Sequence, residues 1–521
     1  MSNSFNAANA ATYTGPWSRN VAAHLVRRTH AGNSVNEVNR ARLAGSASQA
    51  ADDILQRAVT AVLPENPVWF SRGPSADIDH LYDIQFRMMN QLYAGGLEAR
   101  MVLFWTNHFA VSYNNMNDLP GKAPGSYVSH MHTYVRLLQQ YGLGNYRELV
   151  RRVSKNSAMV YYLNNYNNTR LSPNEDFARE LLELFTTGRV DAGGNDNYTE
   201  QDVAEVARAV TGWRVNDTTF TAFFDPGRHD EDAKTIFGRT GNYDLDGVID
   251  LIFTEKAPEV AWFLSTKIYT MFVSAEPEPA FIATMAQHCQ QVDFNIAELL
   301  RMVLKSEHFF DERFRGCRIK SPAEVFLGFL RHVELEPTPV LREYIRLSMQ
   351  NLNEELLRPD TVFGWDGYNP PSSDGLPGHL AWLNTSLLPT RWNNLTDILF
   401  GRNDSGTVYN PVRLVEKITD PDNPFSVATS LARHLLAVPL SLSDIRDVEE
   451  PFAGDTMYPP DTTGLSSEEI NLAKILLGPI PWYEWRTQTT TSGERYYENA
   501  LLVQLREFLS YLVQLPSYQH Y

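Results

Sequence analysis

The stretch LSPNEDFARELLELFTTG, residues 171–188, decides how the chain is read. Its apolar residues recur with the period of an α-helix. Phe177, Leu181 and Leu184 make a stripe, widened by Ala178, Leu182 and Phe185. Its ends carry helix punctuation. Ser172 is placed to cap, Pro173 suits the first helical position, Glu175 completes a capping box and Gly188 suits the stop. On the polar side, Glu175, Arg179 and Glu183 follow one another at i,i+4 spacing, as surface ion pairs do. Glu180 falls on the edge of the apolar stripe, which draws its carboxylate toward the interior.

The same period recurs on both sides of this stretch. It runs over 77–113 with a break at Gly95-Gly96, and over 130–163. Beyond it come 200–211, 246–273, 279–289, 295–307, 321–334, 339–357, 411–418, 425–437, 466–475 and 496–514. At 200–211, Thr199 stands as the cap with Asp202 as an imperfect capping-box partner, Glu205 points to solvent and Gly212 ends the helix. The one clear β signal is WRVNDTTFTAFF at 213–224, where two β-rich runs flank Asn216-Asp217 and favour a hairpin. The expected fold class is therefore mainly α, a multi-helix protein with a small β-hairpin near 213–224.

A chain of 521 residues exceeds the roughly 250–300 that one core organises, so several packed units are expected. The division expected is a helical core at 1–400 carrying the motifs and a C-terminal helical region at 401–521 packed on it. The interruption GRNDSG marks the boundary. Two stretches rich in Pro, Gly, Ser and Asp, 364–380 and 449–466, read as long loops. The net charge of −17, with no long Lys/Arg run, argues against general nucleic-acid binding. No run approaches the ~20 apolar residues of a membrane helix. The first 20 residues have neither a charged start nor an apolar core, so the chain reads as cytoplasmic, already processed or exported by another route. Cys289 and Cys317 lie outside any Cys-x-x-Cys motif; pairing and the reduced state both remain open.

Two stretches carry candidate chemistry besides Glu180. In FWTNHFAVSY (104–113), Met101, Trp105, His108 and Ser112 share a helical face, which puts His108 on an apolar stripe. Such a histidine is either buried and satisfied by neighbours or a metal ligand or acid/base group. In DPGRHDEDAK (225–234), Asp225, Arg228, His229, Asp230, Glu231, Asp232 and Lys234 crowd one loop. That loop is either solvated surface or a set of ligands for a divalent metal. Asp244, Asp246 and Gly247 lack the other ligands of a calcium loop, and His130 and His132 diverge on a helix. There is no phosphate-cradling Gly loop, no G-x-S-x-G elbow and no H-E-x-x-H helix.

Taken in order, these motifs resemble a bacterial family catalogued as domain of unknown function 1800. The likeness runs through HLVRRTHAG (24–32), LFWTNHFAVS (103–112), YGLGNYRELVRRVSKNSAMVYYLNN (141–165), PNEDFARELLELFTTG (173–188) and YTEQDVAEVARAVTGWRV (198–215). It continues through RHDEDAKTIFG (228–238), KSPAEVFLGFLR (320–331), VFGWDG (362–367), WLN (382–384) and LPSYQ (515–519). RTHAG at 28–32 departs from the RAGFG-like residues usual there. The resemblance carries the family's FW-x-NHF histidine onto His108. It carries NE-x-FARE onto Asn174, Glu175, Phe177, Ala178, Arg179 and Glu180, and HD…K onto His229, Asp230 and Lys234. It also implies frequent export and a partner resembling phosphatases and sulfatases that is encoded nearby.

Two functions compete on this reading. One is an enzyme in which His108, Glu180, His229 and Asp230 bind a divalent metal (iron, manganese or zinc) or perform acid/base chemistry. There His108 and Glu180 carry the reaction, with Arg179 and Lys234 holding an anionic group. It requires His108, Glu180 and His229 to converge on a pocket. The Glu-x-x-His pairs of a di-iron bundle are absent. The other is a non-catalytic binding or assembly protein that uses its 12% aromatic residues as contact surface.

Overall fold

The computed structural model describes residues 10–72, 78–117, 127–368, 378–403, 408–446, 448, 450–453, 460–482, 485 and 498–521. Parts of both expected long loops (369–377, 449 and 454–459), and of the expected boundary (404–407), lie outside the described residues. Helices dominate. Among the described residues strand is confined to two antiparallel pairs: β1 (Trp213–Asn216) with β2 (Thr221–Phe224), and β3 (Lys234–Ile236) with β4 (Arg239–Gly241). The first pair is the expected hairpin. The second comes from a stretch whose start read as loop. Its strands are three residues long, too short to show a two-residue period.

The chain divides into two compact units, each built from separate segments. The first comprises residues 1–16, 44–311 and 354–378, and it holds most of the motifs. Its central helix, Leu97–His108, is buried on almost every side; only Glu98 and Asn107 escape. Its neighbour Val128–Tyr141 packs beside it, and Trp105 Nε1 donates to the Gly142 carbonyl just past that neighbour's end at 2.7 Å. The helix interior at 130–163 is really three helices, Val128–Tyr141, Tyr146–Ser154 and Ser157–Tyr162. Asn145 and Asn156 cap the second and third through their side-chain oxygens.

The helix of 171–188 starts later than its punctuation suggests. It spans Asp176–Glu183, and neither Ser172 nor Glu175 caps it through a side chain. Ser172 instead bridges back to Thr169, its amide donating to the Thr169 carbonyl at 3.0 Å. Asn168 Oδ1 accepts the Asn174 amide at 2.9 Å, and Asn174 Oδ1 accepts the Asp176 amide at 2.7 Å. Asparagine thus does the work expected of Ser172, because a tight turn places Ser172 outside the helix. At the other end the helix opens into wide turns. The amides of Thr187 and Gly188 both reach the Leu182 carbonyl, and Gly188 takes φ +72° there. The next helix, Glu200–Ala209, has the full capping box: Thr199 accepts from the Asp202 amide and the Asp202 side chain accepts from Thr199.

The second unit comprises residues 17–43, 312–353 and 379–521. Its first helix, Arg19–Thr29, buries nine of its eleven residues, including His24, Arg27 and Arg28. The turn after it meets the Pro322–Val333 helix backbone to backbone. A Cβ on Gly32 would stand 2.6 Å from the Gly328 Cα, so both positions require glycine. The Pro322–Val333 helix opens on a Ser321/Glu324 capping box whose glutamate is itself buried and paired with Arg318.

Candidate functional site

His108 is buried, as its apolar stripe predicts. Phe104, Trp105, Phe109, Tyr146 and Phe263 surround its ring. Its Nε2 lies 2.9 Å from the Tyr146 hydroxyl, which donates in turn to the Phe185 carbonyl at 2.5 Å. With that hydroxyl proton committed, Nε2–H is the donor to Tyr146. Burial first, and then the charge of Lys267, push the imidazole well below its usual value, so it is neutral. Its polar atom ties the Leu97–His108 helix to Tyr146 and, through it, to the end of the motif helix.

The charged loop 225–234 is not loose surface. His229 Nδ1 donates to the Thr211 carbonyl at 3.1 Å, and its ring meets Phe224 edge-on. Arg208 grips Asp230 with two nitrogens, at 2.8 and 3.3 Å. Lys234 is fully buried, and its ammonium donates to the Asp230 carbonyl oxygen. Burial pushes that ammonium below its usual range, against Asp230. Glu205, expected in solvent, instead accepts from Arg208 at 2.8 Å and from the Thr235 amide at 3.1 Å. The short β3 docks against the Glu200–Ala209 helix, and this is what turns Glu205 inward. His229, Asp230, Lys234, Glu205 and Arg208 thus form one clasp. Asp244 and Asp246 are also structural: the first caps the Leu245–Glu255 helix, and the second pairs with Lys155 at 2.6 Å.

On the motif helix, Arg179 pairs with Glu175 at 3.1 Å and with Glu200 at 2.7 Å. Glu183 accepts from the Tyr198 hydroxyl at 2.7 Å. Glu180 differs from both. It is half-buried, and among the described residues no side chain gives its carboxylate a hydrogen bond or an ion pair. Burial, and then the charge of Glu183, push it up to about 7, against Arg179. Its charge also reaches Tyr162, whose phenol is raised to about 12 chiefly by burial. Tyr198 and Glu200 line an open groove of about 620 Å³, together with Arg189, Asp202, Glu255 and Lys256.

Of the expected metal ligands, His108 is bonded to Tyr146, His229 and Asp230 belong to the clasp, and Glu180 has no side-chain partner among the described residues. Among the described residues no group of three or more His, Cys, Asp or Glu side chains is arranged to hold a metal ion. One arrangement resembles a nucleophilic triad by composition: His130 Nδ1 lies 2.8 Å from Ser157 Oγ, and its Nε2 lies 3.3 Å from Asp217. The Ser157 hydroxyl, however, donates to the Phe220 carbonyl at 2.8 Å, and both Ser157 and His130 are sealed from solvent. The set clamps the β1–β2 loop, which contains Asp217 and Phe220. His132 turns away to Asn66, as the two-residue spacing requires.

A family model described as "Protein of unknown function (DUF1800)" matches residues 20–519. The chain belongs to this family. No curated protein and no solved structure matches it. Within the DUF1800 chain, motifs distant in sequence interlock. The Trp365 amide of VFGWDG donates to Asn107 Oδ1 of the FW-x-NHF motif at 2.8 Å. Lys320 of KSPAE donates to the Tyr518 carbonyl of LPSYQ at 2.6 Å and lies 3.7 Å from the centre of its ring.

The structure also adds a residue that the motifs of the DUF1800 chain did not flag. Lys267 lies 5.4 Å from the centre of the Phe263 ring, which itself packs on His108. Among the described residues nothing pairs with its ammonium, which burial lowers to about 8. The signal available was a single cation inside the apolar run VAWFLSTKIYTMF. A lone lysine covering apolar surface with its stem looks the same in sequence. Among the described residues neither Cys289 nor Cys317 forms a disulfide.

Proposed function

We propose that the protein is an enzyme working by acid/base catalysis, with Glu180 as the group that gives and takes the proton. The observation that carries this reading is the isolation of that carboxylate. Arg179 and Glu183 beside it are engaged, and Glu180 is held half-buried with no side-chain partner among the described residues. A carboxyl raised to about 7 is half ionised near neutrality, where a proton-transfer group is most effective. Acid/base chemistry is favoured over metal chemistry because His108, His229 and Asp230 use their polar atoms on Tyr146, Thr211 and Arg208. The groove reached through Tyr198 and Glu200 offers a polar substrate mixed charge close to the motif helix. That same groove also favours a second reading, a non-catalytic binding protein.

The test is to assay the full chain and Glu180→Gln on chromogenic carboxylic esters, phosphate esters, sulfate esters and glycosides. The acid/base reading expects turnover with a limb near pH 7, reduced about 10²–10⁴-fold in the variant while the helical signal is unchanged. Turnover that ignores the substitution, or none on the panel, overturns it in favour of the binding reading.

A further inference from the structure

The second unit has a cavity of its own, about 190 Å³, remote in sequence from Glu180. A dry cavity of ~150 Å³ accommodates benzene, so this volume suits a ligand the size of one amino acid. Its walls come from the Arg19–Thr29 helix, the Pro424–Leu435 helix with the turn after it, and the start of the Ser467–Leu477 helix.

Three chemistries meet in it. The first is cationic. Arg27 is 5% exposed, and its Nη2 donates to the carbonyls of His434 at 2.9 Å and Arg433 at 3.3 Å. Among the described residues its buried Nε has no hydrogen-bond partner. Arg315 stands beside it, its Nη1 pairing at 3.1 Å with Glu312, a carboxylate that is itself 84% exposed. Burial first, and then the charges of Arg19 and Arg315, lower Arg27 to about 10, against Tyr521. The second is anionic. Glu468 is half-buried, and among the described residues no cation pairs with it. Its neighbour Glu469 is engaged, accepting the Ser466 amide at 3.0 Å and facing Arg433 at 3.5 Å. The third is aliphatic: Leu436, Val438, Leu440 and Leu472 complete the lining.

We infer that this cavity is a binding site for a small aliphatic zwitterion, a free α-amino acid of about leucine's size. Its carboxylate meets Arg27 and Arg315, its ammonium meets Glu468, and its side chain lies on the leucines. Arginine beside a carboxylate supplies charge-assisted, often paired donors. Neither a simple anion nor a simple amine satisfies both ends of the cavity.

Calorimetric titration of the full chain with L-leucine, 4-methylpentanoate and 3-methylbutylamine tests this. The first lacks neither charge, the second lacks the ammonium and the third lacks the carboxylate. Leucine is expected to bind at least tenfold more tightly than either single-charge probe. Glu468→Gln and Arg315→Gln should each weaken leucine tenfold or more. Both side chains keep some solvent exposure, unlike Arg27, so these variants should keep the fold where removal of Arg27 would not. Equal affinity for 4-methylpentanoate and leucine overturns the zwitterion assignment. Absence of leucine binding, or leucine binding indifferent to both substitutions, overturns the site. Neither result depends on Glu180, so the proposed acid/base function stands or falls separately.

Discussion

Asp230 and Glu180 are carboxylates of two motifs in the same unit, and their surroundings move them in opposite directions. Burial alone would raise Asp230, but the hydrogen bonds from Arg208 and the Asp232 amide outweigh it and hold that carboxyl below its usual range. Burial raises Glu180 as well; Glu183 adds to the effect, the charge of Arg179 opposes it without reversing it, and the carboxyl reaches about 7. The two differ in their partners. A carboxylate clasped by arginine stays ionised, and one left unclasped on a packed helix holds its proton to higher pH.

Breaking the clasp should produce the largest effect. Arg208→Ala is expected to destabilise the protein by about 2–3 kcal/mol in urea unfolding, less than a fully buried pair would cost, since both side chains retain some solvent. Asp230 should then move up toward Glu180's behaviour, which carbon-13 detected titration would register. A loss within error of zero would mean that Lys234 and Thr211 hold the loop without Arg208, and the comparison would fail.

Glu180→Gln sharpens the other side through pH. The folded protein holds this carboxyl's proton more tightly than the unfolded chain does. The stability it gives is complete below the ordinary value of 4.5 and is lost as pH rises through about 7. Glutamine carries no such charge. The variant should match the parent near pH 5 and exceed it near pH 8 by about 1–2 kcal/mol, a value discounted for solvent screening. Parallel stability curves across that window would show that Glu180 is not destabilised by its charge. The smallest effects belong to the two helix starts. Thr199→Ala should cost about 1 kcal/mol because its capping box is complete, whereas Ser172→Ala should stay within about 0.5 kcal/mol because Ser172 caps nothing. Equal losses at the two positions in thermal unfolding would contradict the helix start at Asp176.

Much of the fold was legible because its helices are amphipathic, and the β1–β2 hairpin was legible from its β-rich runs. The helices Arg19–Thr29, Val35–Leu43, Ala47–Val59 and Leu387–Phe400 were not read from the sequence, although Ala47, Ala50, Ala51, Ile54, Leu55 and Ala58 form a helical stripe in the third. In the first, polar His24, Arg27 and Arg28 are buried along with the apolar residues, which apolar spacing does not foretell. The candidate site was legible in part. The edge position of Glu180 and the burial of His108 follow from helical spacing alone. That His108 would bond to Tyr146, and Asp230 to Arg208, depends on packing between elements, which no local spacing encodes. Lys267 and the Arg27 cavity were missed for the same reason. A charge in an apolar run reads as covered surface until its neighbours in space are known.

The second unit's composition from three separated segments also governs how the chain must be made. Residues 17–43 are synthesised well before the segments they pack with: Tyr521 donates to the Ala31 carbonyl at 2.8 Å, and Arg28 donates to the Phe314 carbonyl at 2.5 Å. At ~5–20 residues per second, the interval between emergence of the first segment and the last is roughly half a minute to a minute and a half. Until the later segments arrive, the Val21, Leu25 and Val26 surface lacks those partners. The order of synthesis therefore sets how long these apolar residues stay open to aggregation, and a holdase that shields them during that interval is expected to raise the yield.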